Sequence, residues 1–116
     1  MDSISFEEFQ KVDIRIGTVV EATVPEWSHW VIKLAVDLGQ EIGQRTIFSG
    51  IMKFYKPKDL IGKQFPFVVN IPPKKIGPEG DFSNGMMLMS VVGEGDEETP
   101  ILLKVSKKVP NGAKVR

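Results

Sequence analysis

The sequence predicts a small all-β protein: a closed five-stranded barrel with a short N-terminal helix, a helix between strands three and four, and a C-terminal strand extension. Three observations carry this. Five stretches rich in β-branched and aromatic residues are separated by turn residues. Helix signals are confined to two short segments. The 116 residues make one domain, 1–116, long enough to bury roughly 65% of the surface that the unfolded chain exposes.

The elements follow in order. "SFEE", Ser5 to Glu8, has the spacing of a capping box and predicts a helix through about Val12. "DIRIGTVVEATV", 13–24, reads as the first strand, with Gly17 as a bulge or bend. In the second strand Trp30, Ile32, Leu34, Val36 and Leu38 share one face, and Lys33 and Asp37 take the other. A turn at "GQEIG" leads to the third strand, "QRTIFSG". In "IMKFYKPKDLIGK" the period changes, with Pro57 suited to a first helical turn and Gly62 to a helix end. "QFPFVVNI" is the fourth strand and "GMMLMSVV" the fifth. "ILLKV" and "AKVR" form the C-terminal extension after an acidic turn. This is the layout of the oligonucleotide/oligosaccharide-binding (OB) fold.

Charge is unevenly placed on a chain whose net charge is zero. Residues 1–41 carry three basic and eight acidic groups, whereas 42–78 carry seven basic groups and only Asp59 against them. Such a block gives a near-neutral protein one positive face suited to a polyanion, or merely a solvated lysine-rich surface. No apolar run approaches the ~18 residues of a membrane span, and the acidic N-terminus lacks the apolar core of a signal peptide. A cytoplasmic location without membrane contact is therefore expected.

The chemistry of catalysis is missing. With no cysteine and one histidine, thiolate and multi-histidine metal sites are excluded, and no cofactor is expected. His29, between two tryptophans in "EWSHW", reads as a loop histidine beside partly buried aromatics. No P-loop, HExxH or GxSxG pattern occurs, so no enzymatic activity is expected. The acidic run at 94–98 reads as a solvated turn. In "GPEGDFSNG" the glycines permit a long turn, while Glu79 and Asp81 repel phosphate. The lysines just before it stand at the end of a barrel strand.

The segments "FEEFQKVDIRIGTVVEA", "RTIFSGIMKFYKPKDLIGK", "VVNIPPKK", "SNGMML" and "VPNGAKVR" together resemble the OB-fold tRNA-binding domain. That family includes the domain at the C-terminus of bacterial methionyl-tRNA synthetases, free-standing tRNA-binding proteins and the CsaA export chaperones. The family's asparagine, proline and basic pair fall on Asn70, Pro73, Lys74 and Lys75, its Ser-x-Gly-Met on Ser83, Gly85 and Met86, and its Asp-Ile-Arg on Asp13, Ile14 and Arg15. The resemblance implies a non-catalytic tRNA-binding protein that reads shape and backbone charge. Arg45, Lys53, Lys56, Lys74 and Lys75 would supply charge, and Asn70, Ser83, Asn84 and the loop backbone at Gly85 the fit; Met86, in the same motif, reads with its neighbours as core at strand spacing. Phe82 either stacks on a base or folds back over the barrel end.

Three departures bear on the subgroup. "VPEWSHWVIKL" replaces a "HPNADKL"-like segment and, with "EIG" and "NIPPKK", is closer to CsaA. The loop from Lys75 to Ser83 is about two residues longer than in most relatives, by this resemblance, and carries added acid. "SGI" and "SNGM" are of the tRNA-binding kind. The alternative function is therefore a CsaA-like chaperone that holds unfolded polypeptide in an apolar groove. The resemblance also implies a homodimer paired through its terminal segments, and admits an aminoacyl-tRNA synthetase as partner.

Overall fold

A computed structural model describes all 116 residues, Met1–Arg116. Helix α1, Phe6–Gln10, begins at the predicted capping box. The Ser5 hydroxyl accepts from the Glu8 amide and the Glu8 carboxylate from the Ser5 amide, both at 3.1 Å. Strand β1, Ile14–Thr23, is the spine of the barrel. Its first half pairs antiparallel with β4, Gln64–Val68, and its second half with β2, Ile32–Asp37. A bulge between Val19 and Glu21 bends the strand as it changes partners.

The bulge is therefore not at Gly17. That residue pairs regularly with Phe65, and a Cβ there would lie 2.7 Å from Leu38 and Val36 side chains. Gly17 is required by close packing.

The four-residue helix α2, Gly39–Ile42, fills the turn before β3, Gln44–Ser49. The helix expected between the third and fourth strands is a single 3-10 turn, Pro57–Asp59, capped by the Asp59 carboxylate accepting from the Lys56 amide at 2.8 Å. The remaining strands are β5 (Lys74–Ile76), β6 (Asp81–Ser83), β7 (Met86–Met87), β8 (Met89–Val92), β9 (Thr99–Leu102) and β10 (Lys114–Val115). The main sheet runs β3-β2-β1-β4-β7, with β10 laid along the start of β1. The expected fifth strand breaks in two: Met86–Met87 stays on the barrel, and Met89–Val92 leaves it to pair with β9. The loop between strands four and five contains its own hairpin, β5–β6.

Ile32, Leu34, Val36 and Leu38 are fully buried, as their alternation predicts, and join Val19, Ile47, Leu60, Phe65, Phe67 and Met87 in one core. Trp30 departs from that face: it precedes the strand and is 52% exposed. The barrel is closed between β3 and β7 by the last residue of β6 and the one after it. The Phe48 amide donates to the Ser83 hydroxyl at 2.9 Å, and the Asn84 amide to the Thr46 carbonyl at 2.8 Å. The all-β barrel is that of an OB fold.

Candidate nucleic-acid interface

The β5–β6 hairpin projects beside β3 and presents its outer face to solvent. Lys75 stands directly opposite Phe82, so both side chains share one face of the two-stranded ribbon. Both are exposed, Phe82 by 55%. Lys74 is exposed too, but its cross-strand partner Ser83 is buried. The other contribution comes from β2, where Lys33 donates to Asp81 at 3.2 Å. Asp81 is thereby partly neutralised, while Glu79 at the hairpin tip is exposed and has no ion pair.

Trp27 props the hairpin from beneath. Gly77, with φ +74°, lies so close to the indole that a Cβ there would overlap the Trp27 ring. Trp27 in turn meets Trp30 edge-to-face at a centroid distance of 6.0 Å and leans on Phe48 at 6.2 Å. The half-exposed ring of Trp30 thus belongs to the same cluster as the hairpin. The two tryptophans of "EWSHW" were the available signal; only their spatial neighbours separate a prop from an exposed ring.

The residues singled out by sequence fall into three groups. Lys74, Lys75, Phe82 and Met86 are exposed, the last by 46% and not in the core that strand spacing predicts, because its neighbour Met87 takes the inward position. Asn70, Ser83, Asn84 and Gly85 are joined to the frame. The Asn70 amide oxygen accepts from the Asp13 amide at 2.8 Å, and its nitrogen donates to the Lys11 carbonyl at 2.6 Å, tying α1 to the end of β4. The Ser83 hydroxyl donates to the Gly85 carbonyl at 3.3 Å besides accepting from Phe48. Gly85 has φ +134°, and a Cβ there would meet Ile47 at 2.9 Å and the Val68 carbonyl at 3.0 Å. The third group lies elsewhere. The half-buried Arg45 guanidinium donates to the Val69 carbonyl, and Lys53 and Lys56 line a separate cleft with Phe54 and Lys58 that contains no hairpin residue.

Asp13 and Arg15 form a clamp rather than an open contact. The buried Arg15 bonds Asp13 through Nε at 2.7 Å, Glu41 of α2 through Nη1 at 3.3 Å, and the Gly112 carbonyl at 3.2 Å. Hydrogen bonds to Asp13 and then Glu41 push the Arg15 pKa up, and the Arg15 hydrogen bond holds the Glu41 carboxyl below its ordinary value. Three chain segments meet at this guanidinium.

The ribbon thus exposes two lysines and one aromatic ring, Phe82, with Trp30 in the cluster beneath it. The family model described as a putative tRNA-binding domain matches residues 14–114. The chain is 42% identical over 116 residues to the methionine–tRNA ligase of Methanocaldococcus jannaschii, spanning all of this chain and 17% of that enzyme. It thus covers about one-sixth of such relatives. Among solved structures, the MetRS-related protein of Pyrococcus horikoshii superposes with a TM-score of 0.87 at 36% identity, covering 100% of both chains. The chaperone CsaA of Bacillus anthracis gives 0.85 at 37% identity, over 99% of this chain and 100% of that one. With a family model matched along nearly its whole length, the chain belongs to the putative tRNA-binding domain family.

Proposed function

We propose that this is a non-catalytic, cytoplasmic tRNA-binding protein whose β5–β6 hairpin grips RNA, in the manner of a methionyl-tRNA synthetase appended domain. The observation that carries the reading is the cross-strand pair of Lys75 and Phe82 on the exposed hairpin face. A base stacked on Phe82 has its phosphate within reach of Lys75, and Lys74 extends the charge. Trp30 offers a second stacking ring. Asn70, Ser83, Asn84 and Gly85 act by holding the rim, Met86 by contact beside it. Arg45, Lys53 and Lys56 add to the positive field rather than to the hairpin grip.

The protein works as a homodimer. Val91, Val92, Ile101 and Leu103 of the β8–β9 region are each more than 40% exposed, as is Phe6 of α1. An isolated two-stranded hairpin is marginal in water, and a symmetric partner would cover these faces.

A second reading rests on the exposed Trp30, Phe82 and Met86, which also suit an unfolded polypeptide, and on the CsaA likeness. Titration with bulk tRNA, with single-stranded DNA and an unfolded polypeptide as competitors, separates the two. The tRNA reading expects micromolar or tighter binding that survives both competitors and collapses with salt. Polypeptide binding that persists at higher salt, without tRNA binding, would install the chaperone reading instead.

A further inference from the structure

A second basic surface lies away from the hairpin. A cleft of about 460 Å³ has Lys63, Lys104 and Lys108 in its walls, with Thr18, Asp37 and Asn111. All three lysines are exposed and none is in an ion pair. The one carboxylate in the cleft, Asp37, already accepts from the Gly39 amide at 2.9 Å.

One of these cations, Lys108, adjoins a fixed segment rather than a loose tail. The Gln64 amide group donates to the Val109 carbonyl at 2.7 Å and accepts from the Val109 amide at 3.0 Å. The Thr18 hydroxyl donates to the Asn111 side-chain oxygen at 2.6 Å, and the Gly112 amide to the Ile16 carbonyl at 2.7 Å. Gly39 and Gly112 let the two backbones meet so closely that a Cβ on either would strike the other segment. The 109–112 segment is therefore riveted to β1 and β4, and Lys108, next to it, is presented with less to lose on binding, while Lys104 follows the end of β9 and Lys63 precedes β4.

Strand β2 measures the separation of the two basic regions. Lys33, near its start, bonds the hairpin at Asp81, and Asp37, at its end, lines the lysine cleft. Four residues of strand span about 13 Å, more than the ~8 Å Debye length at physiological ionic strength. Cations at one end are screened from a phosphate held at the other.

We propose that Lys63, Lys104 and Lys108 form a second, separate contact for the phosphate backbone of the RNA held at the hairpin, so that the ligand runs along the barrel from one end of β2 to the other. This rests on the tRNA reading above. The riveted floor sets the surface apart from freely solvated lysines, and the concave walls fit a strand of phosphates.

Bulk tRNA titrated over a range of salt concentrations tests it, using wild type, a Lys63→Ala/Lys104→Ala/Lys108→Ala variant, a Lys74→Ala/Lys75→Ala variant and their combination. The triple variant is expected to bind at least about tenfold more weakly at low salt and to lose about two from the slope of log affinity against log salt, at ~0.7–0.9 per phosphate. In the combination the two slope losses add, as separate contacts should. A triple variant with wild-type affinity and slope overturns the second surface while leaving the hairpin site standing. Wild-type protein that binds no tRNA at low salt overturns the tRNA reading itself, before any variant is compared.

Discussion

Two neighbouring pieces of the same loop behave oppositely. In the hairpin, Lys74, Lys75 and Phe82 have exposed side chains, and neither lysine is in an ion pair. One residue further on, Ser83, Asn84 and Gly85 close the barrel against β3 through a side-chain hydroxyl, a backbone amide and a left-handed glycine. A motif that reads as one recognition element is thus half exposed surface and half seam. Substitutions on the two halves should separate cleanly, the first changing affinity at constant stability and the second changing stability.

The largest effect is expected at the seam. Gly85→Ala combines a backbone angle closed to side chains with a clash against Ile47 and the Val68 carbonyl. It should cost about 3 kcal/mol of stability in denaturant unfolding; a loss below about 1 would mean that the seam yields. Phe82→Ala should leave unfolding unchanged and weaken RNA binding by about 2 kcal/mol, the middle of the range for a lost stack. Equal losses in both measurements would place that ring in the fold. Ser83→Ala strands the buried Phe48 amide and should destabilise by about 1–2 kcal/mol, with the salt dependence of tRNA binding intact.

The smallest effect is at the Arg15 clamp. Glu41 has a lowered pKa in the folded protein, chiefly through its hydrogen bond to Arg15. Its contribution is therefore present above the unfolded carboxylate value, ~4.3, and is lost as pH falls through the lower folded value. Stability profiles of wild type and Glu41→Gln should differ at pH 6 and converge at low pH. Because Glu41 is exposed, the difference should be small; parallel profiles would remove the linkage.

Much of the barrel was legible because burial imposes period two. Ile32, Leu34, Val36 and Leu38 alternate with half-exposed neighbours, and the capping box at Ser5 is a local signal read directly. The breaks were less legible. Nothing local tells Leu88 to end one pairing and start another, because Met86–Met87 and Met89–Val92 are equally strand-like and only their distant partners differ. Gly17 looks like a bulge residue, yet its need for hydrogen in place of a side chain comes from Val36 and Leu38, nineteen or more positions away. At the candidate site, sequence marked Lys74, Lys75 and Phe82 but could not distinguish them from Asn70 and Ser83, whose polar groups are engaged within the fold. It also grouped Lys53 and Lys56 with the hairpin, though they line a cleft of their own.

The salt dependence of tRNA affinity for Lys74→Ala/Lys75→Ala, beside wild type and Ser83→Ala, tests the central claim most directly. If the hairpin grips the RNA backbone, the lysine variant keeps wild-type stability, binds roughly tenfold more weakly and loses about 1.5 from the slope, while Ser83→Ala keeps the wild-type slope. A lysine variant with unchanged affinity and slope would contradict the account and move the binding surface off the hairpin.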